Sequence, residues 1–505
     1  MHIDASDLTG PTLFEADLCI VGAGAAGIAI ATQWLDTTHD ALLIEAGQFE
    51  LDDRLQESFR AEVVGRQYLP LDANRLHYFG GTTNIWGGLC ARFDPIDFMA
   101  RSWVPHSGWP IDISDLERFY EVAEGLLELG NPENEAQSAE TIPVNDDNIA
   151  TKLYRYSPPS RLGPMYQKRF ERSQKLKLLT SAKVREIVLN ESRSCVAHVC
   201  ISMPNGLEHT VRARHYVLGC GAIENARLLL ASNTQCPAGI GNENDQVGRY
   251  FMEHPSIIGA GHLHFESPRS LRHYWHEFRR TRTRRMLIAT ESIQRDEQLL
   301  NCAIELSPSD GGTSPTSWFL AKPTSRTFLS IWHAAERAYQ EGRLPVHPPL
   351  TALSQVNCQC EQAPNPESRV LLSAERDVFG IPRACLNWQI SDLEPRTIRR
   401  LCELLGEAMV RAQIGRLVLA DGLPKPGAEW DSAITAAGFH HIGTTRMHRS
   451  PKYGVVDKDC RVHGLSNLWV AGASVFPTSG AAHPTLTLVA LALRLSSHLK
   501  HFQMR

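Results

Sequence analysis

Apolar residues along this chain fall into two rhythms, one helical and one alternating. ADLCIVGAGAAGIAIATQWL (residues 16–35) is an apolar run, a glycine-rich turn, then apolar positions at helical spacing. That predicts strand, tight turn and helix, followed by a second short strand in ALLIEAG (residues 41–47). ISDLERFYEVAEGLLEL (residues 113–129) predicts an amphipathic helix capped by Ser114. LKLLTSAKVREIVLN (residues 176–190) alternates like a pair of strands. VGRYFMEHPSIIGAGHLHF (residues 247–265) reads as a loop followed by a strand, and SQVNCQCEQ (residues 354–362) and RVLLS (residues 369–373) alternate. LEPRTIRRLCELLGEAMVRAQ (residues 393–413) is a long amphipathic helix. The mixture argues for a parallel α/β half and an antiparallel α+β half.

The turn after the first strand carries chemistry. In GAGAAG (residues 22–27), Gly22 allows the turn, Gly24 lets backbone approach a pyrophosphate, and Gly27 lets helix and strand pack closely. The helix N-terminus then attracts phosphate. Glu45, at the end of the next strand, stands where an acidic group accepts hydrogen bonds from a ribose. Strand, turn, helix and terminal acid together indicate dinucleotide binding.

Near the other end lie two histidines. His440 opens HHIGTTRM (residues 440–447), and His483 sits in VAGASVFPTSGAAHPTLTLVALALRL (residues 470–495). Imidazole is the side chain best suited to take a proton near neutral pH. The pair could flank one reacting oxygen if the fold returns the chain to the same point.

The chain resembles the glucose–methanol–choline (GMC) flavin oxidoreductases over nearly its whole length. After GAGAAG and Glu45 comes FGGTTNIWGG (residues 79–88), which resembles that family's glycine-rich flavin loop. HYVLGCGAIENARLLLAS (residues 215–232) resembles its second signature, and the two histidine segments resemble its C-terminal catalytic region. The resemblance implies FAD, an alcohol substrate, and a catalytic pair over the flavin, here His440 as base and His483 as its partner. The alcohol would lose a hydride to the flavin while His440 takes the hydroxyl proton. His483 would hydrogen-bond the same oxygen, and the helix starting near Thr485 would stabilise negative charge on the reduced ring. His441 is expected to point elsewhere. His254, before Pro255, is a weaker site candidate beside a buried structural role.

The cofactor contacts implied are Gly22, Gly24, Ala25, Ala26, Gly27, Glu45 and Ala46 in the first turn and strand. The flavin loop adds Gly80, Gly81, Thr82, Thr83, Asn84 and Trp86. Val184 would lie against the adenine, Gly221 belongs to the second signature, and Gly472, Ala473, His483, Pro484 and Thr485 complete the set. There are departures from the family pattern. The loop reads GGTT rather than GGSS, which resembles the branch of pyranose 2-oxidases and membrane-linked sugar dehydrogenases. Ile85 stands where some pyranose oxidases attach FAD through histidine, so non-covalent FAD is expected. Asn225 and Asn233 replace the usual Ser or Thr and Gly, and His483 replaces the asparagine common in that branch.

The organisation expected is a discontinuous Rossmann-like FAD domain with a parallel sheet (residues 1–110, 161–245 and 436–505). A substrate domain with an antiparallel sheet flanked by helices (residues 111–160 and 246–435) includes a lid over 307–345. Composition adds limits. The length of 505 residues and 43% hydrophobic content suffice for a large core, and a net charge of −5 gives no reason to expect nucleic acid. No apolar stretch approaches the roughly 20 residues that span a bilayer. The first fifteen residues lack a basic region followed by an apolar core, so no secretory signal is expected. The 12 cysteines are scattered without CxxC or metal-ligand spacing, which suggests reduced packing residues, no metal and a cytoplasmic location. Cys358 and Cys360 should share one strand face.

Two segments fall outside the resemblance. Residues 269–285 hold seven arginines and one acid, which reads as a solvated face or, more sharply, an anion or docking patch. SPSDGGTSPTS and WFLAKPTSRTFLSIWHAAERAYQ (residues 307–340) suggest the lid or a surface-resting helix, with membrane contact the less favoured reading. The function expected is oxidation of a small-molecule alcohol, a sugar, polyol or glycosylated natural product, to a carbonyl. Alternatives are a non-sugar aliphatic or aromatic alcohol, a non-redox flavin lyase or isomerase, and an electron-transfer subunit. The electron acceptor stays open between O2, a quinone and a protein.

Overall fold

The computed structural model describes residues 1–130, 141–158, 160–203, 206–265, 274, 283–308, 353–421, 423, 435–436 and 438–503. Two large sheets organise them. In the first, the strands run in the order His2–Asp4, Leu176–Thr180, Ala41–Ile44, Leu13–Val21, Glu208–Leu218, Val196–Ser202 and Lys183–Leu189. The first five pair in parallel, and the short Leu468–Val470 strand also joins Glu208–Leu218 in parallel. Leu18, Ile20, Leu42, Leu43, Leu178 and Val217 are fully or almost fully buried, as suits strands covered on both faces.

The second sheet is antiparallel, in the order Gly415–Leu419, Pro255–Phe265, Leu353–Cys360, Cys302–Pro308, Thr283–Ala289, Ile149–Tyr156 and Leu89–Cys90. Its core is closed by the Leu393–Arg411 helix. Ile398, Leu401, Cys402 and Leu405 pack into one cluster with Val356, Cys358 and Cys360. Burying each such aliphatic side chain contributes about 1.5–3 kcal/mol. A small three-stranded sheet orders Arg369–Arg376, Pro382–Asn387 and Glu62–Val63.

Several expectations need adjustment. The strands of residues 176–190 both form, but they do not pair with each other. Leu176–Thr180 joins the parallel edge and Lys183–Leu189 pairs antiparallel with Val196–Ser202. The segment after Ile111 opens with a short 3-10 turn capped by Asp112 and Asp115, so Ser114 is not the cap, and the α-helix runs Glu117–Leu126. That helix packs on the C-terminal Thr485–Gln503 helix, where Tyr120 and Thr487 hydroxyls lie 2.9 Å apart. Residues 111–160 therefore divide between the halves, since Ile149–Tyr156 enters the antiparallel sheet. Leu89–Cys90 joins that sheet too, so the flavin-loop segment reaches across as well.

Of the arginine-rich run, Tyr274, Thr283, Arg284 and Arg285 are described and are buried rather than solvated. Arg284 pairs with Glu305 at 2.8 Å inside the sheet. The rest of that run and the lid expected over 307–345, except Ser307 and Pro308, lie outside the described residues. All 12 cysteines are free thiols, and Cys358 and Cys360 share the core face. Among the described residues no helix is long and apolar enough to cross a membrane.

One buried pair fastens the small sheet to the parallel half. Arg227, on the Ala222–Ala231 helix, reaches Asp377 at 2.6 Å and Glu224 at 3.2 Å, and donates to the Pro382 carbonyl at 2.7 Å. Arg227 and Asp377 side chains are 2% and 0% exposed, so removing one partner strands the other's charge away from water. Arg227→Met is expected to lower stability by about 3–5 kcal/mol, read as an earlier urea midpoint. Adding Asp377→Leu should recover part of the loss; no recovery would mean the pair itself is not the cause.

Candidate functional site

The first turn has the close approaches its glycines require. Gly22 has φ +97°, and a Cβ on Gly27 would meet the Gly22 carbonyl oxygen at 1.9 Å. The helix Ala25–Thr32 starts directly after Gly24, presenting the first amide groups of Ala25 and Ala26 at its N-terminus. Glu45 accepts from the Ala23 amide at 2.9 Å and the Gly47 amide at 2.9 Å. This carboxylate therefore braces the turn. Its remaining lone pairs can still take a ribose hydroxyl. Burial pushes the Glu45 carboxyl above its usual range, against the lowering effect of those amides. The Ala182 amide bonds the Glu45 carbonyl at 3.0 Å, which brings Val184 to the same end of the turn.

The flavin loop docks on this turn. The Gly80 amide donates to the Ala23 carbonyl at 2.9 Å, and Gly80 has φ +92°. A Cβ on Gly81 would lie 3.5 Å from the Gly24 Cα. Thr83 and Asn84 are buried; Thr83 donates to the Gly80 carbonyl and Asn84 to that of Phe79, holding the loop's shape. Trp86 is anchored by its indole N–H to the Ser160 carbonyl at 3.1 Å. The second signature closes the other side. Asn225 accepts from the Cys220 amide at 2.9 Å and donates to the Ala471 carbonyl at 3.2 Å and Ser474 Oγ at 3.0 Å. The asparagine that departs from the family pattern thus clamps the Gly221 turn to the Gly472–Ala473 segment.

These glycines leave a cradle. A Cβ on Gly221 would meet nothing within 4 Å, one on Gly24 only the Gly219 oxygen at 4.0 Å, and one on Gly472 only Ala26 Cβ at 3.9 Å. Backbone-lined space beside a helix N-terminus fits the pyrophosphate and flat ring of a flavin dinucleotide. Hydrogen bonds and close approaches connect the Gly22–Gly27 turn, the Gly80–Gly81 loop, the Gly221 turn and the Gly472–Ala473 segment.

The histidines meet as well. Met252 and Ile442 exchange both backbone hydrogen bonds, at 3.0 and 3.1 Å. The same register sets His254 opposite His440, and their Nδ1 atoms are 2.8 Å apart. The His440 and His483 ring centroids are 4.7 Å apart at 48°. His254 is fully buried, its Nε2 faces the Gly480 carbonyl at 2.8 Å, and burial lowers its pKa to about 3, helped by His483. His483 has Nδ1 at 3.0 Å from the Leu89 carbonyl and Nε2 at 3.3 Å from Gln359 Oε1. Gln359 is oriented by its own donation to the Ala481 carbonyl at 3.2 Å. A carbonyl only accepts, so the Leu89 contact takes the Nδ1–H of His483, and Gln359 stands at Nε2.

His441 turns away, its Nε2 meeting Tyr68 OH at 2.9 Å; Tyr68 donates onward to Glu253 at 2.6 Å. Glu253, His254 and His440 offer donor atoms within 4.8 Å of one another, as a metal site would. Their geometry is that of hydrogen bonds instead. Glu253 accepts from Tyr68 and from the His254 amide at 2.8 Å, and nitrogens bound at about 2.0–2.1 Å to one zinc would lie farther apart than 2.8 Å. Sequence reasoning missed Gln359, Tyr68 and Glu253 and undervalued His254. For Gln359 a signal existed: if Cys358 and Cys360 face the core, the residue between them faces the other way.

The fold sets a glycine-lined cradle of dinucleotide-binding type beside a cluster of histidines. Two family models described as GMC oxidoreductase match residues 167–256 and residues 364–492. The chain belongs to the GMC oxidoreductase family. It is 25% identical to 6'''-hydroxyparomomycin C oxidase of Streptomyces lividus, covering 96% of this chain and 92% of that one. It is 25% identical to paromamine 6'-oxidase of Streptomyces fradiae, covering 95% and 90%. The fold matches the crystal structure of pyridoxine 4-oxidase from Mesorbium loti with a TM-score of 0.57 at 18% identity, over 96% of this chain and 99% of that one.

His77, just before the flavin loop, is buried like His254; burial lowers its pKa to about 3 and its Nδ1 lies 3.0 Å from Ser58 Oγ. An unfolded histidine titrates near 6.5, so between about pH 6.5 and 3 the unfolded chain binds more protons than the folded one. Stability from this group is present above pH 6.5 and is lost as pH falls through that window. Urea midpoints for His77→Phe should therefore drop less between pH 7 and pH 5 than those of the wild type; an equal drop would contradict the assignment.

Proposed function

We propose that this oxidoreductase binds FAD non-covalently and oxidises a hydroxyl of a sugar, polyol or glycosylated natural product to a carbonyl. The observation that carries this reading is the pair of rings, His440 and His483, 4.7 Å apart on segments bonded to the glycine cradle. The Gly443 amide donates to the Ala473 carbonyl at 3.1 Å, and His483 is tied to Leu89 next to the flavin loop. When bound, FAD supplies the acceptor for the hydride that leaves the alcohol carbon.

The chain's own residues do the rest. His440 receives the hydroxyl proton, and His483 hydrogen-bonds the same oxygen and holds it in place. Their different hydrogen-bond surroundings separate the two roles. The relatives paromamine 6'-oxidase and 6'''-hydroxyparomomycin C oxidase support a glycosylated substrate class. They give no support to lyase, isomerase or electron-transfer readings. Non-covalent attachment is supported by Ile85, a buried apolar residue where a tethering histidine would stand.

Mixed anaerobically with a panel of sugars and aminoglycosides, the protein should bleach its flavin absorbance with at least one member. His440→Ala should slow that bleaching by about 10²–10⁴-fold while the flavin stays bound. Bleaching at the wild-type rate would remove His440 as base. Acid precipitation should release the flavin into the supernatant; a yellow pellet would mean a covalent bond.

A further inference from the structure

The centre holds a third histidine whose surroundings dictate where the proton on His440 must sit. We propose that His254 is a positioning residue: it accepts a hydrogen bond from the Nδ1–H of His440 and so fixes the tautomer in which Nε2 carries the basic lone pair. The inference rests on the reading of His440 as base.

The argument runs along a chain of three groups. A carbonyl oxygen can only accept, so the His254 nitrogen 2.8 Å from the Gly480 carbonyl must carry a hydrogen. His254 is 0% exposed, and burial lowers its pKa to about 3, which leaves the ring neutral near pH 7. A neutral imidazole has one N–H and one lone pair. With Nε2 protonated, His254 Nδ1 is an acceptor. The only way to make its 2.8 Å contact with His440 Nδ1 favourable is for His440 to donate there. A neutral His440 that donates from Nδ1 has its lone pair on Nε2.

The other groups packed around His254 agree. The Glu253 carboxylate accepts from the His254 backbone amide and from Tyr68 rather than from the ring. A proton on His483 would oppose a second proton on His254. When the hydroxyl proton moves to His440 Nε2, the Nδ1–H bond to His254 persists. His440 becomes an imidazolium, His254 stays neutral, and no proton travels further along the chain. The arrangement pre-orders the base without relaying charge.

The test uses the FAD-loaded protein and two substitutions. His254→Leu removes the acceptor; His254→Asn keeps one, since its Oδ1 sits about where the ring Nδ1 was. The Leu variant should reduce its flavin slower by about 10²–10⁴-fold, the scale of loss when a catalytic histidine is held in the wrong tautomer. The Asn variant should recover to within about ten-fold of wild type. The loss in the Leu variant should persist on the high-pH plateau of the rate profile, because a tautomer ratio does not depend on pH. A loss that vanishes at high pH would mean His254 acts only on the affinity of His440 for protons, and wild-type rates in the Leu variant would end the idea. A readout independent of turnover is the 15N spectrum of histidine-labelled protein, with the His440 signals assigned by their disappearance in His440→Gln. Above the titration midpoint Nε2 should resonate as the unprotonated nitrogen; a protonated Nε2 overturns the proposal even if no substrate is found. Failure of every alcohol to bleach the flavin, with that signature intact, would instead count against the proposed function alone.

Discussion

Two backbone hydrogen bonds between Met252 and Ile442 set the geometry of the histidine cluster. An antiparallel pairing repeats its side-chain direction every second residue, so fixing 252 against 442 also sets His254 beside His440. The pairing depends on close backbone approach. Gly443 has φ +91°, and a Cβ there would meet the Tyr250 carbonyl oxygen at 2.1 Å. No other residue type fits that position without moving one strand. One glycine therefore holds the His440 segment in register with its buried partner.

Around that register the protein builds opposite environments for two similar rings. His483 is ringed by acceptors, the Leu89 carbonyl and Gln359. His440 lies against a neutral, buried imidazole. His254 itself is fully buried, so its donor and acceptor have no solvent to turn to. The Tyr68–Glu253–His254 connections hold this centre from behind, and Asn225 and Leu89 hold it to the cofactor turns. The cofactor turns and the histidine cluster thus share one hydrogen-bonded frame.

Much of this was legible in the residues. The GAGAAG turn, its flanking strands and Glu45 obey local rules, since the turn's φ values and the close packing at Gly27 admit few other sequences. The Leu393–Arg411 helix and the Pro255–Phe265 strand followed from periodicity. The strands of residues 176–190 were legible as strands but not as partners, because alternation reports one buried face and says nothing about which neighbour supplies the hydrogen bonds. Ser114 looked like a cap, yet Asp112 and Asp115 satisfied each other's backbone first. His254 was undervalued for a similar reason: a histidine before a proline is ordinary until its neighbour is known.

By itself the sequence determined the glycine turn, the order of the motifs and the two candidate histidines, because each depends on neighbouring residues or on side-chain chemistry. Only the tertiary structure decided that His254 opposes His440, that Gln359 faces His483, and that Asn225 joins two cofactor segments. Those relations link residues more than a hundred positions apart. They exist only where two sheets and their crossing loops bring backbone to backbone, and no local pattern encodes that distance.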